Sequence, residues 1–170
     1  MQLNTLNDLF QEQLQDLYSA ETQLVDALPK LASASSNEEL RDAFEQHLAE
    51  TRQHVERLEQ IFDQIGEKPG SEKCKGMEGL IKEGDEVLKL KGDPTVIDAA
   101  LIAAAQRVEH YEIAAYGTVK TLADQLDLGD AKSLLDDTLD EEGKADKLLT
   151  KIATGGMLGS GLNEKAQSRS

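Results

Sequence analysis

One cysteine, no tryptophan and three prolines are the main shortages of this 170-residue chain, and aromatic residues make up only 4% of it. A single cysteine, Cys74, excludes an intrachain disulfide framework and any zinc or iron–sulfur site built from the thiolates of one chain. It lies in the polar run Lys73-Cys74-Lys75-Gly76, which predicts an ordinary exposed thiol. Basic residues are also scarce: 18 against 33 acidic, a formal net charge of −15. Such a field repels phosphate, which argues against nucleic acid and anionic membrane surfaces as partners. No apolar run approaches the roughly 18 residues that a membrane span needs. The start, Met1-Gln2-Leu3-Asn4, lacks the basic and apolar regions of a signal peptide, giving the expectation of a cytoplasmic protein.

What remains is 39% hydrophobic and 30% charged, with the apolar positions spread along nearly the whole chain. That is the composition of one folded domain rather than of a disordered acidic tail. The apolar residues fall in steps of three and four. Leu6, Phe10, Leu14, Leu17, Leu24 and Leu28 mark a first helix from about Thr5, which Pro29 should kink or end. Ser36 with Glu39 has the spacing of a capping box for a second helix, whose inner side carries Leu40, Phe44, His47, Leu48, Val55, Leu58, Phe62 and Ile65 up to Gly66. The glycine- and proline-rich stretch from Gly66 to Pro94 holds one short amphipathic segment around Met77, Leu80 and Ile81. Asp93-Pro94 is a start signal for a third long helix through the alanine-rich run Ala99 to Ala105, reaching toward Gly129. A fourth runs from about Asp130 to Gly155-Gly156. The expectation is an all-α four-helix bundle over residues 1–154, with a long crossover between helices two and three carrying a short extra helix, followed by a flexible C-terminal tail, residues 155–170.

The informative residues interrupt the apolar stripes. Glu21 lies among Leu14, Leu17, Leu24 and Leu28; His47, Glu50 and His54 fall among Phe44, Leu48 and Leu58. Glu109 and Glu112 share a face with Ala105 and Tyr116, and Glu142 and Asp146 share one with Leu135, Leu139 and Leu149. Glu21 precedes Glu50 by 29 residues and Glu112 precedes Glu142 by 30. Each later glutamate has a candidate partner four residues on, His54 in the first half and Asp146 in the second, almost above it on the helix. Four ionised carboxylates buried together would cost many kcal/mol unless they protonate, face water or enclose cations. Two divalent ions would balance the charge of Glu21, Glu50, Glu112 and Glu142, and oxygen with imidazole ligands suits iron or manganese. Di-metal bundles use a Glu-x-x-His spacing; here Gln53 and Ala145 stand at the three-residue positions instead. His47 reads either as a core histidine or as a ligand, and Glu109 either as a ligand or supporting acid or as a solvated residue. His110 falls off the inner stripe. Tyr18, Tyr111 and Tyr116 read as packing residues or as hydrogen-bond partners of the carboxylates.

Several stretches resemble the YciE/YciF family: Leu17-Tyr18-Ser19-Ala20-Glu21, His47-Leu48-x-Glu50-Thr51, the run from Asp98 to Gln106 followed by Val108-Glu109-His110-Tyr111-Glu112-Ile113-Ala114, and Thr138-Leu139-x-Glu141-Glu142 with Asp146. The likeness extends from about Thr5 to Ala153. It implies a bacterial, ferritin-like, stress-associated protein with a two-metal centre held by Glu21, Glu50, Glu112 and Glu142, joined by His54 and Asp146. In the scheme it implies, Glu50 and Glu142 bridge two ferrous ions that meet dioxygen or peroxide, in a ferroxidase-like or peroxide-scavenging oxidoreductase. It also implies a small assembly, a homodimer. The alternative is a non-catalytic helical stress protein that acts through partner binding, with its metal structural or absent.

Overall fold

The computed structural model describes residues 3–156 and 159–167; Met1 and Gln2, residues 157 and 158, and the end of the expected tail, 168–170, lie outside the described residues. The chain forms α1 (Leu6–Ala34), α2 (Glu38–Gln64), α3 (Lys75–Val87), α4 (Pro94–Gln125), α5 (Gly129–Thr154), a two-residue antiparallel bridge of β1 (Gly155–Gly156) with β2 (Gly159–Ser160), and α6 (Leu162–Gln167). Among these described helices none is long and apolar enough to cross a membrane.

The local signals account for most helix ends. Thr5 caps α1, its hydroxyl accepting from the Asp8 amide while the Asp8 carboxylate accepts from the Thr5 amide. Asp93 caps α4 through the Thr95 amide, with Pro94 in the first turn, where no donor is lost. Beyond α2, Gly66 adopts φ 71° and lets the Glu67 amide close on the Phe62 carbonyl at 2.9 Å.

Helix direction follows from how the core divides. Phe10, Leu14, Leu17, Leu58, Phe62, Val119, Leu122, Ala131 and Leu135 form one apolar cluster, and Leu24, Leu28, Leu40, Phe44, Leu101, Ala105, Leu149 and Ile152 belong to a second. Going along the chain, α1 and α5 pass from the first cluster to the second, whereas α2 and α4 pass from the second to the first. The long helices α2 and α4 are therefore parallel, and residues 65–93 must traverse the bundle's length, with α3 resting on α4 and α1. This is a four-helix bundle with one long crossover. Between the two apolar clusters lies a buried polar belt.

Three sequence expectations change. Pro29 neither ends nor divides α1, which continues to Ala34; Ala27, Leu28 and Ala32 are buried on either side, and their packing outweighs the missing donor at exposed Pro29. The cap of α2 is Asn37, not Ser36, because Ser36 is engaged by buried Asp98 of α4. The Asp98 carboxylate accepts from the Ser36 amide at 2.9 Å, the Ser36 hydroxyl at 2.5 Å and the Asn37 amide at 2.9 Å. Cys74 is buried at 1% exposure: it caps α3, and its Sγ lies 3.1 Å from Asp16 Oδ2 and 3.0 Å from Tyr111 Oη. The described part of the C-terminal segment packs against the bundle. Buried Leu162 joins the second apolar cluster, and Gly161 approaches the backbone of Thr154 and Gly155 so closely that no Cβ would fit.

Candidate metal centre

Each long helix delivers acid or imidazole to the belt because a helical stripe repeats every three or four residues, and these positions carry Glu or His where Leu or Ala would continue it. From α1 comes Glu21, from α2 His47 and His54, from α4 Glu109 and Glu112, and from α5 Glu142; all six are buried. Donor atoms of His47, Glu109, Glu112 and Glu142 lie within 4.8 Å of one another, as do those of Glu21, His54 and Glu142. Glu142 belongs to both groups.

The distances define two halves. On one side His54 Nδ1 is 3.0 Å from Glu142 Oε1 and 3.3 Å from Glu21 Oε1. On the other, His47 Nε2 is 3.4 Å from Glu109 Oε1 and 3.8 Å from Glu142 Oε2. Tyr116 donates to Glu21 Oε1 at 2.5 Å, which fixes one oxygen of that carboxylate. On the outer side of His54, Glu141 Oε2 lies 2.9 Å from Nε2 and is gripped by both terminal nitrogens of Arg57, which also donates to Thr138. Arg57 beside it keeps the Glu141 carboxyl below the usual range, so Glu141 is ionised and can only accept. Nε2 of His54 is then the donor, and in the neutral ring the Nδ1 lone pair faces Glu21 and Glu142. A ligating histidine is commonly oriented by a carboxylate in this way.

Burial drives the protonation of the belt. It pushes the Glu21 carboxyl up and those of Glu109 and Glu112 well above their ordinary value, with neighbouring carboxylates adding to the effect at Glu112. Glu142 is the exception: burial pushes it up, but His54 and His47 hold it below the ordinary value. Burial opposes charge on His47, yet Glu109, Glu50 and Glu142 lift it to about 9. The same contest at His54, won by Glu142 and Glu21, lifts it to about 11.

The belt also leaves nine buried atoms without a well-directed hydrogen bond, some of them within ion-pair distance of one another: Glu21 Oε2, both ring nitrogens of His47, His54 Nδ1, Glu109 Oε2, and both oxygens of Glu112 and of Glu142. Buried polar atoms ordinarily find partners, and each one left unmade costs about 1–3 kcal/mol. Orphans gathered in one place, all oxygen or imidazole nitrogen, could hold a metal ion.

Two residues expected among the ligands stand outside these two groups of donor atoms. Glu50 is half-buried at the rim, accepting from Gln46 Nε2 at 2.9 Å with Oε2 3.8 Å from His47 Nδ1. Asp146 is on the outer side of α5, 2.9 Å from Gln106 Nε2 and 3.3 Å from Nε2 of exposed His110. In their places the structure brings His47 and Glu109 into the belt. Glu141 entered the sequence reading only within the family-like stretch Thr138-Leu139-x-Glu141-Glu142, and Arg57 lies off the inner stripe and carried no signal. Tyr18 bonds Glu59, and Tyr111 bonds Asp16, not the belt.

Comparison with known proteins adds the lineage. Residues 5–165 match the family described as "Domain of unknown function (DUF892)". The chain is 48% identical to Protein YciF of Escherichia coli (strain K12) over 170 residues, 99% of each chain. It belongs to this YciF-containing family. The crystal structure of the E. coli stress protein YciF superposes with a TM-score of 0.86 at 50% identity, covering 88% of this chain and 95% of that one. YcfI of Rhodopseudomonas palustris gives 0.85 at 43%, covering 88% and 96%. A two-domain protein from Anabaena variabilis that contains DJ-1/ThiJ/PfpI-like and ferritin-like domains gives 0.62 at 17%, covering 97% of this chain and 39% of that one. With its single long crossover, this member of the DUF892 family has the ferritin-like fold.

Proposed function

We propose that the belt binds two divalent transition-metal ions, iron in the first place with manganese as the alternative, and that the protein serves a bacterial stress response by oxidising ferrous iron or reducing peroxide or dioxygen. What carries the reading is the set of nine buried, unpartnered oxygen and nitrogen atoms gathered from four helices. Glu21, His54 and Glu142 would hold one ion, His47, Glu109 and Glu112 the other, with Glu142 shared. Ferrous ions held there would supply electrons to a small oxidant. The chain's own part is to hold the donors in a buried belt, to fix His54 through Glu141 and Arg57, and to release protons from His47, His54, Glu109 and Glu112 as ligands deprotonate. A cytoplasmic homodimer belongs to the same proposal; its mass in solution checks the assembly.

The test is metal content of protein prepared without chelator, followed by anaerobic ferrous loading and admission of oxygen. About two metals per chain and rapid oxidation, both lost in Glu142→Ala and kept in Glu56→Ala, support the reading. A chain that binds no metal and oxidises iron at the background rate contradicts it.

One observation favours a second reading, a helical binding protein without catalysis. Burial pushes the Glu109 and Glu112 carboxyls toward the uncharged acid, and the neighbouring carboxylates favour the charged form of His47 and His54, which lowers the belt's negative charge without any ion. Stability indifferent to added metal would support that alternative.

A further inference from the structure

Most of the belt is sealed: Glu21, His54, Glu112 and Glu142 have no exposed surface. A cavity of about 100 Å³ between α2 and α5 nevertheless reaches it, walled in part by Phe44, His47, Glu50, Glu109, Lys144 and Ala145. Three other cavities, beside Asp16, beside Leu80 and beside Lys151, have no belt residue in their walls. Sites for organic ligands run to about 300–1,000 Å³, so this one takes an ion and a few waters.

Its chemistry is graded. Half-exposed Glu50 stands outermost, His47 follows with both ring nitrogens buried and unpartnered, and Glu109 ends the path with an unpartnered Oε2. Ala145, three residues beyond Glu142, occupies the position where di-metal bundles carry a histidine; its small side chain is one wall of the opening. Lys144 opposes a cation, but it is exposed on the outer lip and its ammonium reaches water.

On the metal-binding reading above, we propose that this cavity is the loading port, in which Glu50 captures a divalent cation from solvent and passes it by way of His47 to Glu109. Glu50 is a positioning residue that sets the rate of loading and leaves the final occupancy to the belt.

Metal-free protein mixed anaerobically with cobalt(II), followed by visible absorption in a stopped-flow instrument, tests this. Glu50→Gln should reach the wild-type final absorbance about tenfold more slowly, the scale of charge focusing in a cleft. Ala145→Leu, which fills the opening, should slow loading as well, and Lys144→Glu should hasten it. Exposed Glu56→Gln should load at the wild-type rate. Melting curves establish that each variant is folded, and Glu50→Gln decides the matter should Ala145→Leu fold poorly. Full loading at unchanged rates in Glu50→Gln and Lys144→Glu overturns the port while leaving the metal centre standing. No cobalt spectrum in the wild type overturns both.

Discussion

His54 Nε2 lies 2.9 Å from Glu141 Oε2 across the α2–α5 interface, and that contact turns Nδ1 inward toward the belt. Glu141→Gln would remove the charge that orients the ring while keeping the shape. The expected outcome is metal affinity lower by about 10–100-fold, measured by competition with a coloured chelator, with the helical content unchanged. Affinity equal to the wild type would mean that the imidazole orientation does not matter.

Proton linkage gives a pH prediction for the metal-free protein. His47 and His54 are raised to about 9 and about 11, so the folded chain binds protons there that the unfolded chain, with ordinary histidines near about 6.5, releases. Their stabilisation is complete below the unfolded value and is lost as pH climbs through 9 and then 11. Glu109 and Glu112, also raised, act in the same direction above the ordinary carboxylate range. Tm in the presence of chelator should therefore fall between pH 7 and pH 10. A flat or rising Tm would contradict the protonation scheme.

Asp98 is a purely structural counterpart to the belt. It is buried and ties the first residues of α2 to α4 through three hydrogen bonds. Asp98→Ala should cost about 3 kcal/mol, the scale of buried hydrogen bonds to a charged group, read as an earlier denaturant midpoint. Metal stoichiometry should not change.

Pro29 interrupts the ladder of α1 at an exposed position. Pro29→Ala restores the donor and relieves the ring's clash with the preceding turn, so stability should rise by about 2 kcal/mol once the looser unfolded chain is counted. A lower Tm would show that the packing around Ala27, Leu28 and Ala32 depends on Pro29.

The sequence was legible where the controlling forces are local. The Asp93 cap, the Gly66 stop and the stripes around Glu21, Glu112 and Glu142 depend on neighbours within a turn or two. Glu50 and Asp146 depend on how far each helix is rotated about its axis, which packing against other helices decides. A step of four overshoots one turn by about 40°, enough to leave Asp146 facing Gln106 and His110 while Ala145 lines the cavity. Cys74 sits in a run that reads as surface, and its burial arises only because α3 folds over α1 and α4. Asp98 displaced the expected Ser36 cap from 62 residues away, a relationship no local pattern contains.

The most direct measurement is anomalous scattering from a crystal grown with manganese. The account predicts two anomalous peaks per chain inside the belt, one bounded by Glu21, His54 and Glu142 and the other by His47, Glu109, Glu112 and Glu142. Ordered waters satisfying those atoms, with no anomalous peak among them, would contradict it.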